Sequence, residues 1–120
     1  MALKIGKKAT REIKVLLEEP GNLLAVTKHD LVVEYKILPR QEYVNICESP
    51  DGDGRIQAIL DSIVTVTGLK NEDGTDAVYS EEVGKSLFEV SWIFSPIVQA
   101  WHAVQGGTSQ SEYYKAKAKN

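Results

Sequence analysis

Ser49-Pro50-Asp51-Gly52-Asp53-Gly54-Arg55-Ile56 has the look of the middle of a calcium-binding EF-hand loop. Asp51 and Asp53 fall at the third and fifth positions of that loop, Gly54 at its turn glycine and Ile56 at its apolar eighth. Calcium needs six to eight oxygens, including a bidentate carboxylate at the twelfth position. Leu60 stands there, and Ser49 replaces the acidic residue at the first. With two charged ligands missing, the segment is expected to be a solvated turn between helices, with no metal. Nucleophilic chemistry has little to work with. Cys47 is the single thiol, and the two histidines, His29 and His102, lie far from it in sequence. No local motif joins them, and a lone cysteine between Ile46 and Glu48 reads as a core residue. The glycines at 52, 54, 68, 74, 84, 106 and 107 make no phosphate-cradling pattern. No catalytic, metal or cofactor-binding set is expected, so the chain is read as a non-enzyme.

The more informative residues are aromatic. Val83, Leu87, Val90, Phe94, Ile97, Trp101 and Val104 recur in steps of three and four, which keeps one seam of a helix apolar. Ser80 suits its N-cap, and Glu81 and Glu82 suit its first turn, where the helix dipole favours negative charge. Ser95-Pro96 predicts a kink, or a break with Ser95 capping a second helix. Phe88 and Trp92 fall opposite the seam, alongside Glu81, Lys85 and Gln99. Either strands cover that side, making the helix a central one, or the side is an interaction surface. In the second case Phe88 and Trp92 would anchor a partner within a polar rim of Glu81 and Lys85. Tyr113 and Tyr114, in a polar stretch, offer a further anchor.

These residues need a scaffold. Ile13, Val15 and Leu17 alternate with polar neighbours from Glu12, the period of a half-buried strand. Pro20-Gly21-Asn22 is a turn cluster. Leu23 to Thr27 gives a second strand, ending at Lys28-His29-Asp30, and Val33, Tyr35 and Ile37 a third. Short connections predict an antiparallel meander. Arg40 to Glu48 has helical spacing and is stopped by Pro50. Ile56, Ile59, Leu60 and Ile63 predict a helix over 55–67, although Ile63 to Thr67 is β-branched and suits a strand equally by propensity. The expected fold is α+β: an N-terminal meander of about three strands packed on a C-terminal half of three to four helices. Residues 12–105 form one domain, with a flexible leader over 1–11 and a disordered polar tail over 106–120.

Composition narrows the functional classes. The 120 residues carry a formal net charge of −3, which argues against nucleic acid or a membrane surface as the partner, since both are held by concentrated Lys and Arg. Lys115, Lys117 and Lys119 make only a locally basic end. One cysteine cannot form an internal disulfide. No stretch approaches the ~20 apolar residues of a membrane span, and the basic start lacks the apolar block of a secretory signal. The expected location is cytoplasmic.

The second half resembles phage tail assembly chaperones. An amphipathic segment Ile56 to Val66 ends at Gly68. Asn71-Glu72-Asp73-Gly74 follows, and Tyr79-Ser80-Glu81 opens a long final helix bearing Trp92 and Trp101. Thr67 stands where members of that family often carry Trp. The resemblance implies a cytoplasmic protein of a phage-infected or prophage-bearing bacterium. It would bind the tape-measure protein and keep it soluble until tail-tube subunits polymerise, with the tail-tube protein as a possible second partner. It further implies no enzyme activity, no cofactor, and a monomer or small homo-oligomer. The alternative is a structural subunit of a phage tail, or a tail terminator, that self-associates.

Overall fold

The computed structural model describes residues 10–106. Two eleven-residue strands, β1 (Thr10–Pro20) and β2 (Val26–Lys36), pair antiparallel along their whole length, from Thr10↔Lys36 to Pro20↔Val26. Helices α1 (Arg40–Glu48) and α2 (Gly52–Asp61) follow. Then β3 (Ile63–Thr67) adds to the far side of β2, giving the order β1-β2-β3. The chain closes with α3 (Glu81–Phe88) and α4 (Ser91–Gly106). The result is the α+β arrangement that the pattern predicts, an antiparallel three-stranded sheet with a helical half.

The strands are distributed differently from the expectation. The two strands expected over Leu23–Thr27 and Val33–Ile37 are largely one, because β2 runs unbroken through Lys28-His29-Asp30 under continuous pairing with β1. Leu23 and Leu24 form the turn itself, both at positive φ. The third strand comes from Ile63 to Thr67, expected to be helical. Helix α2 ends at Asp61, where the Ser62 hydroxyl donates to the Ile59 carbonyl at 2.6 Å. The five residues after Ser62 then pair with Val32–Tyr35 across a bulge. Their β-branched side chains prevail because an open edge of β2 lies within reach.

The final helix also breaks elsewhere. Ser80 caps α3 as expected, accepting from the Val83 amide at 3.3 Å. The break comes at Glu89-Val90, and Pro96 sits inside α4. Cys47 is exposed, not core. Much of the leader, all of the tail after Gly106, and Tyr113 and Tyr114 with it, lie outside the described residues.

Val15, Leu17, Leu31, Val33 and Tyr35 point to one face of the hairpin and are buried there, as a strand's period of two requires. Helix α4 lies across that face with Ile97, Ala100, Trp101 and Val104 inward. Polar groups pin it in place. The Tyr35 hydroxyl donates to the Ile97 carbonyl at 2.7 Å. Gln105 accepts from the Leu38 amide and donates to the Lys36 carbonyl, both at 2.8 Å.

Burial pushes the Tyr35 phenol well above its ordinary value, with Tyr79 as a smaller cause. The neutral phenol therefore favours the fold at every pH below the unfolded value, and that contribution is lost as pH climbs from about 10 toward the folded value. Tyr35→Phe is expected to cost about 0.5–1.5 kcal/mol at pH 7, the usual worth of one hydrogen bond. Above pH ~10 the wild type should lose up to about 1.4 kcal/mol per pH unit more steeply than the variant. Urea melts of both proteins from pH 8 to 11 check this; parallel losses would refute it.

Candidate binding groove on the helical face

The segment resembling a calcium loop is mostly helix. Asp51 is the N-cap residue of α2, and Gly52, Asp53 and Gly54 form its first turn. A loop over residues 49–60 cannot wrap an ion while residues 52–60 are helical. Arg55 donates instead to the Ser49 carbonyl, closing the turn between α1 and α2. Among the described residues no three His, Cys, Asp or Glu side chains converge as metal ligands would.

The structure separates the residues grouped by helical periodicity. Trp92, at the start of α4, turns toward the hairpin and stacks on His29, with ring centroids 6.1 Å apart and planes 27° from parallel. The His29 Nε2 lies 2.9 Å from the Glu19 carboxylate. The sheet thus partly covers Trp92, which is half-buried against the core. Phe88 goes the other way. It meets Phe94 edge-on at 5.2 Å and faces α2. Glu81 and Lys85 are exposed one turn apart, 3.9 Å from each other, and Gln57 of α2 reaches Glu81 at 3.4 Å.

Around α2 these placements leave two adjoining hollows. One, of about 290 Å³, lies between α1, α2 and α4, with Ile46, Ile56, Ile59, Phe94, Val98 and Trp101 among its walls. Cys47, Arg55 and His102 are its polar members. The other, of about 300 Å³, lies between α2 and α3, bounded by Ile56, Leu60 and Phe88, with Asp53, Lys85 and Glu89 around them. Ile56 borders both and is 38% exposed. The two hollows share Ile56 as a common wall, each apolar within and with charged groups at its edge, and together they make the groove beside α2.

Aromatic packing ties α1 to α4 beside the first hollow. Tyr43 of α1 packs at 5.2 Å on the Trp101 ring, and its hydroxyl lies 2.8 Å from His102 Nδ1. Gly84 in α3 lets that helix approach: a Cβ there would lie 2.4 Å from the Tyr79 hydroxyl and 2.8 Å from Leu60. Burial, reinforced by Glu81, raises the Tyr79 pKa and keeps this phenol neutral.

Of the expected partner-binding residues, Phe88 and Lys85 line the groove, Glu81 flanks it and Trp92 does not reach it. Ile46, Ile56, Phe94 and Val98 were not anticipated as a surface. Their one signal was Ile56, on the apolar stripe of a predicted helix whose C-terminal part is strand. No helix of the described residues is long and apolar enough to cross a membrane. No family model matches the chain, and neither a curated protein nor a solved structure is significantly similar to it.

Proposed function

We propose that the chain is a phage or prophage tail assembly chaperone. It acts in the bacterial cytoplasm without enzymatic chemistry, holding the tape-measure protein soluble until tail-tube subunits polymerise. The observation that carries this reading is the groove across α2, an apolar floor open to solvent with an isoleucine exposed at its middle. Helix-in-groove recognition uses apolar anchors on successive turns of a bound helix, and two hollows flanking Ile56 suit such anchors. A long helical client offers them in number. The resemblance of roughly residues 55–105 to tail assembly chaperones supports the same reading. The tail-tube protein is a secondary candidate partner.

The test is co-expression of the tape-measure protein with Ile56→Asp, whose fold is first checked by circular dichroism. Ile56 is partly exposed, so the variant should fold. We expect it to leave most of the client in the insoluble fraction, while wild type holds it in solution. Full rescue by the folded variant would remove the groove from the binding surface. The rival reading, a self-associating tail subunit, draws on β1, whose outer edge pairs with no strand among the described residues. Rings of defined size in the isolated protein would favour it.

A further inference from the structure

With the groove taken as the client-binding surface, we propose that the segment it holds is an amphipathic helix bearing a large apolar residue and, on a neighbouring turn, a lysine or arginine. The apolar residue enters the hollow between α1, α2 and α4, and the cation enters the hollow between α2 and α3. The two hollows meet at Ile56 but differ in charge. The first has Arg55 in its wall and no carboxylate among its described lining residues. It therefore turns a cation away and takes an apolar side chain among Ile46, Phe94 and Val98. The second carries Asp53 and Glu89 around an apolar floor of Ile56, Leu60 and Phe88. At about 290 and 300 Å³, both lie at the small end of ligand sites, a size that suits single side chains better than a cofactor.

The carboxylates of the second hollow are unspent within the chain. Asp53 and Glu89 are exposed, and neither makes an ion pair or a side-chain hydrogen bond among the described residues. Lys85, on the same wall, has Glu81 3.9 Å away, so three carboxylates surround one ammonium and the site is net negative. An apolar occupant would strip water from Asp53 and Glu89 and give nothing back, and an acidic one would be repelled. A lysine or arginine avoids both losses. Its aliphatic stem lies on Ile56, Leu60 and Phe88 while its charged head stays at the wet rim beside the carboxylates. The Phe88 ring adds an attraction that an uncharged side chain lacks.

Such a contact sets selectivity more than strength. A half-exposed cation beside a carboxylate contributes at most about fivefold in affinity. It steers the encounter and fades as salt screens it. The apolar anchor holds the client. The cation chooses which turn of a long helix is held and in which direction that helix lies, because the two hollows are not interchangeable.

The test is binding of the full chain to short overlapping peptides that span the tape-measure protein, at low and at high salt. Wild type is compared with Asp53→Asn, Glu89→Gln, its fold checked by circular dichroism. Bound peptides should carry Lys or Arg within a turn or two of a large apolar residue. At low salt the neutralised variant should bind them roughly five- to twentyfold more weakly, and at high salt the two proteins should converge. Glu12→Gln with Glu18→Gln removes the same charge from β1 and should change nothing. Asp53→Lys with Glu89→Lys should reverse the preference, so that a peptide with Glu in place of its cation now binds better. Peptides bound without a nearby cation, equal binding by wild type and the neutralised variant, or a folded reversed variant that still prefers the cation would each overturn the proposal and leave the groove in place. No bound peptide, with the client kept soluble by wild type and lost with Ile56→Asp, would do the same. Full rescue of the client by Ile56→Asp would instead remove the groove as binding surface, and the cation site with it.

Discussion

Trp101→Ala should cost about 3–5 kcal/mol, the usual penalty for truncating a large buried aromatic, and leave the protein close to its unfolding threshold at 37 °C. Trp101 is 1% exposed, the largest fully buried side chain among the described residues. It joins the two halves of the molecule: its ring packs with Tyr43 of α1, lines the α2 groove, and sits in the cluster that α4 presses onto the sheet. Removing it opens a cavity that elements from both sides cannot close together. One detail separates its area from its polarity. Trp101 Nε1 is buried and has no hydrogen-bond partner among the described residues. An orphaned donor costs about 1–3 kcal/mol, so Trp101→Phe should be far milder than alanine, by more than the difference in ring size suggests. Chemical denaturation of the two variants and wild type measures this. Equal losses for Phe and Ala would mean that the indole is held by something other than apolar burial.

The fold class was legible because alternation in Ile13-Val15-Leu17 and the three- and four-residue steps from Val83 to Val104 are each set by local geometry. Trp101 followed from the same spacing. What failed had long-range causes. Ile63 to Thr67 is strand because an edge of β2 is open beside it, and no local pattern announces an edge. Leu23 and Leu24 read as strand by composition, yet they make the turn, since the register of eleven paired rungs leaves them no other place. The groove was partly visible through Phe88 and Lys85. Ile56 shares an apolar stripe with Ile59, Leu60 and Ile63 in the sequence, but only Ile59 and Leu60 of α2 are buried, and Ile56 stays 38% exposed. Trp92 lay on the side opposite the seam by angle, but the break at Glu89-Val90 resets the phase between α3 and α4 and turns it onto His29.

Gly68→Ala should destabilise the protein distinctly more than Gly74→Ala, and the difference isolates the contact that ends the sheet. Both glycines have positive φ, 103° and 87°, which an L side chain rarely adopts. That strain alone is on the order of 1–3 kcal/mol. Around Gly74 there is open space, so alanine there should cost only the backbone term. At Gly68 a Cβ would lie 2.9 Å from the Asp30 carbonyl oxygen, with Leu31 beside it. That oxygen is backbone within a strand paired to β1, so it cannot swing away as a side-chain tip can. Relief requires β3 to move off β2 or the chain to leave the sheet at a different angle. The alanine at 68 should therefore add a steric penalty comparable to overpacking a core, about 1–3 kcal/mol beyond the Gly74 value. Since Gly68 meets β2 where pairing with β3 stops, the variant should also loosen that end of the sheet. Hydrogen exchange at the amides of Val32 to Tyr35 should rise in Gly68→Ala and stay unchanged in Gly74→Ala. Equal stabilities and equal exchange would mean that the end of the sheet is fixed by the hairpin alone, with no part played by the turn after β3.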